Sequence, residues 1–216
     1  MNIVFLMAGR GSRFKEVGYD MPKALIELHG KPMFVWAVES LSFIRNAQYY
    51  FLILKEHEQN GLSDEIKKRY GKKAHVVILD RVTHGAAETA LSVKEYIDTD
   101  EELIISNADH FFRSHELEEE LSKKQHDFSG IIPVFEATHP RWSFAKVNGN
   151  GMITEVAEKV PISNNATVGV YYFKHGKDFV WAAEEMIQKD IRRNNEFYIC
   201  PVYNELIGRG DKIKAV

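Results

Sequence analysis

The chain has 216 residues, 44% hydrophobic and 27% charged, which suits one large globular domain with a substantial core. A formal net charge of −3 excludes a global basic field for nucleic acid or an anionic membrane, so any affinity for phosphate is local. Cys200 is the only cysteine, which excludes an intrachain disulfide and a cysteine-rich metal site. The longest apolar runs, such as YYFLIL (49–54), are far short of a membrane span, and no basic leader precedes IVFLMAG. A cytoplasmic enzyme or binding protein with no nucleic-acid or membrane partner is expected.

In chain order, NIVFLM (2–7), YYFLIL (49–54), HVVIL (75–79) and ELIISN (102–107) are short apolar runs bounded by turn residues, the pattern of strands buried on both faces. Between them, KPMFVWAVESLSF places Phe34, Val38 and Leu41 at helical spacing behind Pro32, and GAAETALSVKEYI does the same with Ala90, Val93 and Ile97. This alternation predicts a mainly parallel α/β sheet flanked by helices. After a junction near residues 125–130 the pattern changes. FSGIIPVF, SFAKVN, GMITEVAE and ATVGVYYF read as strands with few helices between them, and NGNG (148–151) as a hairpin turn, giving an antiparallel extension beside the parallel half. Helices are expected from about Lys177 to Lys189 and near Val202–Ile207. DKIKAV (211–216) reads as the start of a strand, with the expectation that a C-terminal segment is missing. One domain is expected, with halves of about 1–125 and 126–216.

The most informative stretch is LMAGRGSRFKEVGYDMPKALIEL (6–28). A strand that ends in a glycine turn can point backbone N–H groups at an anion, because glycine tolerates φ > 0 and carries no side chain. Ligands of open α/β sheets bind at the carboxyl ends of the strands, where Gly9 and Gly11 stand. Arg13 offers a planar fork to phosphate oxygens and Lys23 a compact point charge. A glycine turn with solvated arginines would read the same way from the glycines alone.

Taken together, Gly9, Gly11, Arg13, Pro22 and Lys23 at this spacing resemble the N-terminal signature of the nucleotidylyltransferases that activate sugar phosphates and related small phosphates. The resemblance implies a GT-A-like, Rossmann-related fold. It implies that residues Met7, Ala8, Gly9, Arg10, Gly11 and Ser12 form the nucleotide loop, and that Arg13 and Lys23 are catalytic. Further resemblances follow in family order. THGAAETAL (83–91) resembles the base-recognition segment, with Thr83 and Gly85 against the nucleobase, and a plain helix start capped by Thr83 is the competing reading. LIISNADHFF (103–112) resembles the strand end where Ala108 meets the nucleotide and Asp109 holds Mg²⁺. His110 is read as structural.

PRWSFAKVNGNGMITEVAEK (140–159) resembles the acceptor hairpin, implying that Trp142, Glu158 and Lys159 bind the phosphorylated acceptor. A surface ion pair would explain Glu158 and Lys159 equally. NNATVGVYYF (164–173) supplies Gly169 and NEFYICPVYNELI (195–207) supplies Glu196 to the same acceptor site. Two departures stand out. Trp142-Ser143 replaces an aromatic-glycine pair, which narrows the pocket expected for a hexose phosphate; Trp142 could cover a cationic acceptor or lie in the core. No second metal carboxylate follows Asp109, since Asp211 sits in the wrong context.

The resemblance implies transfer of a nucleotidyl group from an NTP, with CTP, UTP or dTTP favoured, to a sugar 1-phosphate, with Mg²⁺ and release of pyrophosphate, feeding capsule or surface-polysaccharide synthesis. A CTP-dependent cytidylyltransferase acting on phosphocholine or a phosphoglutamine-type acceptor is the alternative. A GT-A glycosyltransferase and a non-catalytic nucleotide-binding module are the readings from other classes. Exposed apolar residues in the second half are compatible with a homodimer.

Overall fold

The computed structural model describes residues 1–123 and 127–216. The expected dividing line between residues 125 and 126 therefore lies outside the described residues. The first half alternates strand and helix as the periodicity requires. β1 (Asn2–Met7) leads through α1 (Ser12–Glu16), a 3₁₀ turn at Lys23–Leu25 and the short hairpin β2 (Glu27–Leu28) and β3 (Lys31–Pro32) into α2 (Met33–Ser40). β4 (Gln48–Leu54), α3 (Leu62–Tyr70), β5 (Ala74–Leu79), α4 (Ala86–Leu91), α5 (Lys94–Ile97), β6 (Leu103–Asn107) and α6 (His115–Ser122) follow. The second half contains β7 (Gly130–Ile132), β8 (Val134–Glu136), β9 (Ser143–Val147), β10 (Ile153–Glu158), β11 (Asn165–Thr167) and β12 (Val170–Phe173). α7 (Gly176–Gln188), α8 (Val202–Arg209) and β13 (Ile213–Ala215) complete it.

The main sheet runs β13-β7-β12-β6-β1-β4-β5. β1 is parallel to its two neighbours, β4 and β6, and β12 is antiparallel to both β6 and β7. Alternation along β1 explains the layers. Ile3, Phe5 and Met7 face one core with Phe34, Val38 and Leu41 of the α2 segment, while Val4 faces the other with Ala90, Val93, Ile97 and residues of α7 and α8. Burying both faces of β1 and β6 is why these strands read as unbroken apolar runs.

Several expectations need correction. β5 is an edge strand, only partly buried, with Ile78 46% exposed, so its apolar run does not mark a strand covered on both faces. GAAETALSVKEYI is two short helices, because the chain leaves helical geometry at Val93 although Ala90, Val93 and Ile97 are fully buried as expected. Pro133 and the Val168–Gly169 pair each split an expected single strand in two. At Pro133 the chain passes from the main sheet to a second sheet, order β10-β9-β11-β8, and at Val168–Gly169 it returns; the breaks are joined by Val168 N–H donating to the Pro133 carbonyl at 3.0 Å. The second half is therefore not only an extension, since β7, β12 and β13 complete the main sheet. The β9–β10 hairpin forms at NGNG as expected, with Gly151 at φ 76°.

Candidate active site

β1 and β6 are adjacent and parallel, so the loops that leave their carboxyl ends emerge side by side. They enclose a cavity of about 280 Å³ lined by Leu6, Met7, Gly9, Gly11, Lys23, Ala24, Asn107, Ala108 and Asp109. β4 and β5 lie on the other side of β1, so this is also where the strand order reverses. A Cβ at Gly9 would meet only open space, whereas one at Gly11 would stand 3.2 Å from Lys23 Cβ. Gly11 is left-handed at φ 61° and begins α1, so its freedom is used both to turn the chain and to admit Lys23. Lys23 Nζ donates to the Asp109 carboxylate and also lies 5.3 Å from the Phe14 ring centre.

The remaining loop residues divide. Met7, Ala8 and Ala108 are buried, while Ser12 and Arg13 are exposed at the start of α1. The Arg10 side chain is turned to Glu56 at 3.9 Å, which leaves only its backbone at the loop. Asn107, absent from the sequence-based set, lines the cavity and packs under Gly169: a Cβ there would come within 2.7 Å of Asn107 Nδ2. The Asn107 N–H donates to the Gly169 carbonyl at 3.0 Å, so Gly169 abuts a residue of this cavity as well as the second sheet.

Gly85 has a use that its sequence context does not reveal. At φ 135° it starts α4, and a Cβ would fall 2.4 Å from the backbone nitrogen of Phe197. Phe197 N–H donates to the His84 carbonyl at 2.8 Å, and Ala87 N–H donates to the Phe197 carbonyl at 2.9 Å. The close approach that the glycine permits is thus to the 195–200 loop of this chain. Thr83 does not cap the helix: its hydroxyl bonds the Gly85 carbonyl at 2.9 Å, and Glu88 accepts from His84 N–H at 2.7 Å instead.

The hairpin residues separate more sharply. Glu158 is 8% exposed, and its carboxylate accepts from the Ser143 hydroxyl. Burial raises its carboxyl pKa, against the opposing hydrogen bond from Ser143 and the charge of Lys159. Ser143 also interacts with Tyr171 and Cys200, both fully enclosed. Lys159, left-handed at φ 56°, sends its ammonium instead to the Tyr198 phenol oxygen, 4.4 Å from that ring's centre. Glu158 and Lys159 are therefore not engaged as the simple surface ion pair that the sequence also allowed. Burial and a hydrogen bond to Glu196 raise the Tyr198 phenol, while Arg13 opposes the shift. Tyr198 thus gathers Lys159, Glu196 and the field of Arg13, and sequence reasoning missed it. The Tyr beside Phe197 in NEFYIC carried no signal of its own.

Trp142 stands apart from this group. It lies in a bend just before β9 and lines a different cavity of about 650 Å³ with His110, Phe111, Arg113 and Phe135. Its ring meets Phe135 edge-on at 5.2 Å and it is 36% exposed, so it is not a core tryptophan. Both ring nitrogens of His110 are buried without a hydrogen-bond partner, and burial lowers its pKa to about 4. Asp211 accepts from Ser129 and Arg209, each at 2.6 Å, which accounts for it structurally. Among the described residues no helix is long and apolar enough to cross a membrane.

Residues 2–204 match the family described as Nucleotidyl transferase. Over its whole length the chain is 27% identical to the UTP--glucose-1-phosphate uridylyltransferase AglF of Haloferax volcanii, covering 87% of that protein. The nucleoside-diphosphate-sugar pyrophosphorylase of Vibrio cholerae RC9 superposes with a TM-score of 0.83 at 28% identity, over 100% of this chain and 91% of that one. The inositol-1-phosphate CTP transferase of T. maritima shares the fold, with a TM-score of 0.78 at 16% identity over 99% of this chain and 84% of that one.

Proposed function

Because the chain belongs to the nucleotidyl transferase family, we propose that it transfers a nucleotidyl group from an NTP to a sugar 1-phosphate. An oxygen of the acceptor phosphate attacks the α-phosphorus, the bond from that phosphorus to the bridging oxygen of the β-phosphate breaks, and pyrophosphate leaves with the electron pair. The observation that carries this reading is the convergence of the glycine loop, Lys23 and Asp109 on one cavity between β1 and β6. Phosphoryl chemistry of this kind needs positioning and charge neutralisation more than covalent help from the protein. Backbone amides of residues 8–12 would hold the triphosphate, Arg13 would neutralise the departing pyrophosphate, and Lys23 would stabilise charge on the α-phosphate.

Among the described residues no cluster of three ligating side chains exists, so a metal would rest on Asp109 and on the nucleotide itself. One carboxylate fits Mg²⁺, which keeps most of its waters and binds with substrate phosphates. When bound it would supply charge neutralisation at those phosphates. Glu158, Lys159 and Glu196 would receive the acceptor.

A second reading, CTP-dependent transfer to a smaller non-sugar phosphate, is favoured by Ser143, whose side chain occupies the hairpin beside Glu158. The relatives' activities and the family match favour nucleotidyl transfer over glycosyl transfer or passive nucleotide binding. In either form the product would feed surface-polysaccharide precursor supply. The test is pyrophosphate release with Mg²⁺ for CTP, UTP, dTTP, GTP and ATP, each against sugar 1-phosphates, phosphocholine and phosphoglutamine. Turnover by one pair is expected, and silence across the panel would refute the assignment.

A further inference from the structure

Glu158 and Lys159 are adjacent and oppositely charged, yet each is engaged elsewhere, the carboxylate by Ser143 and the ammonium by Tyr198. Two backbone features enforce the separation. Lys159 is left-handed at φ 56°, and its N–H donates to the Trp142 carbonyl at 3.0 Å, which fixes the turn at the end of β10. The loop that carries Tyr198 is clamped on Gly85 by the two Phe197 hydrogen bonds, so the phenol is held by backbone and not by side-chain packing alone. Ser143 in turn is backed by buried Tyr171 and Cys200. Left to themselves, a carboxylate and an ammonium on consecutive residues could neutralise one another and leave the acceptor neither charge.

We propose that Tyr198 and Ser143 are positioning residues of the acceptor site, which hold the Lys159 ammonium and the Glu158 carboxylate apart so that the acceptor meets both. This rests on the function proposed above. It assigns work to two residues outside the loop, lysine and aspartate set, one of them the serine that narrows the hairpin.

The test is steady-state pyrophosphate release by wild type, Tyr198→Phe, Ser143→Ala and the double variant, varying acceptor and NTP separately, with thermal midpoints for each protein. Tyr198→Phe keeps the ring over Lys159 and removes only the hydroxyl. The KM for the acceptor is expected to rise about tenfold in each single variant, with the KM for NTP unchanged and the midpoint within a few degrees of wild type. An acceptor KM equal to wild type, a fall in kcat alone, or a rise in both KM values together would overturn the positioning role. A wild-type protein inactive with every substrate pair would overturn the proposed function, and this inference with it.

Discussion

The Lys23 ammonium and the Asp109 carboxylate form an ion pair across the cavity between β1 and β6, joining groups 86 residues apart in sequence. On the function proposed above, each would release the other when a triphosphate binds, the phosphates taking the ammonium and a cation the carboxylate. With side chains 31% and 40% exposed, the pair is screened by water, so its opening costs little. The pair therefore holds its two charges on each other at small expense.

Replacing Lys23 by alanine should lower turnover by roughly 10²- to 10³-fold, the effect of losing one preorganised charge at the reacting phosphate. Its effect on folding should stay within about 1 kcal/mol because the pair is solvent-exposed. Pyrophosphate release and calorimetry on the same preparation measure both, and near-wild-type turnover would remove Lys23 from the chemistry.

Gly85→Ala sets a methyl group against the Phe197 backbone at a φ that side chains rarely adopt. A loss of roughly 2–4 kcal/mol is expected, seen as a thermal midpoint lowered by about 5–15 °C. An unchanged midpoint would show that the 195–200 loop is not seated on this helix start.

Glu158 ionises with difficulty because it is buried, so its folded-state pKa lies above the unfolded value. Such an acid contributes stability that is complete below the unfolded pKa and is lost as pH rises through the folded one. Glu158→Gln should therefore melt higher than wild type near pH 7, with the difference shrinking towards pH 4. A difference that grows on acidification would contradict the burial argument.

His110 keeps two ring nitrogens out of water without a partner. An apolar side chain of similar size avoids that desolvation, and His110→Leu is expected to stabilise the chain by roughly 1–3 kcal/mol. A lower melting point would mean that the imidazole has a partner in solution.

The parallel strands were legible because burial on both faces leaves a continuous apolar run, and β1, β4 and β6 appear where that signal stands. The same signal misled at β5, where an apolar strand sits on an edge, and at Val93, where side-chain periodicity continues through a backbone break. The glycine loop and Asp109 come together because the carboxyl ends of neighbouring parallel strands must, and Lys23 joins them from the 3₁₀ turn packed against Gly11. Tyr198 and Asn107 were not legible. Their positions depend on which loops are clamped together, through Phe197 on Gly85 and Asn107 beneath Gly169, and such contacts leave no local pattern. Trp142 was visible as an anomaly, but its ring, one residue before β9, packs on Phe135 and lines a cavity apart from Lys23 and Asp109.

The chain leaves the main sheet at Pro133 and rejoins it at Val168–Gly169, two points tied to each other by one backbone hydrogen bond. The second sheet thus branches from the main one through a doubled connection, and β10 braces it from the side, where Asn204 of α8 bonds both the N–H and the carbonyl of Val156 at 2.9 Å. Insertions, deletions or altered side chains in that sheet can accumulate without rethreading the strands that hold the glycine loop. A lineage built this way can change what it activates while keeping what it activates it with.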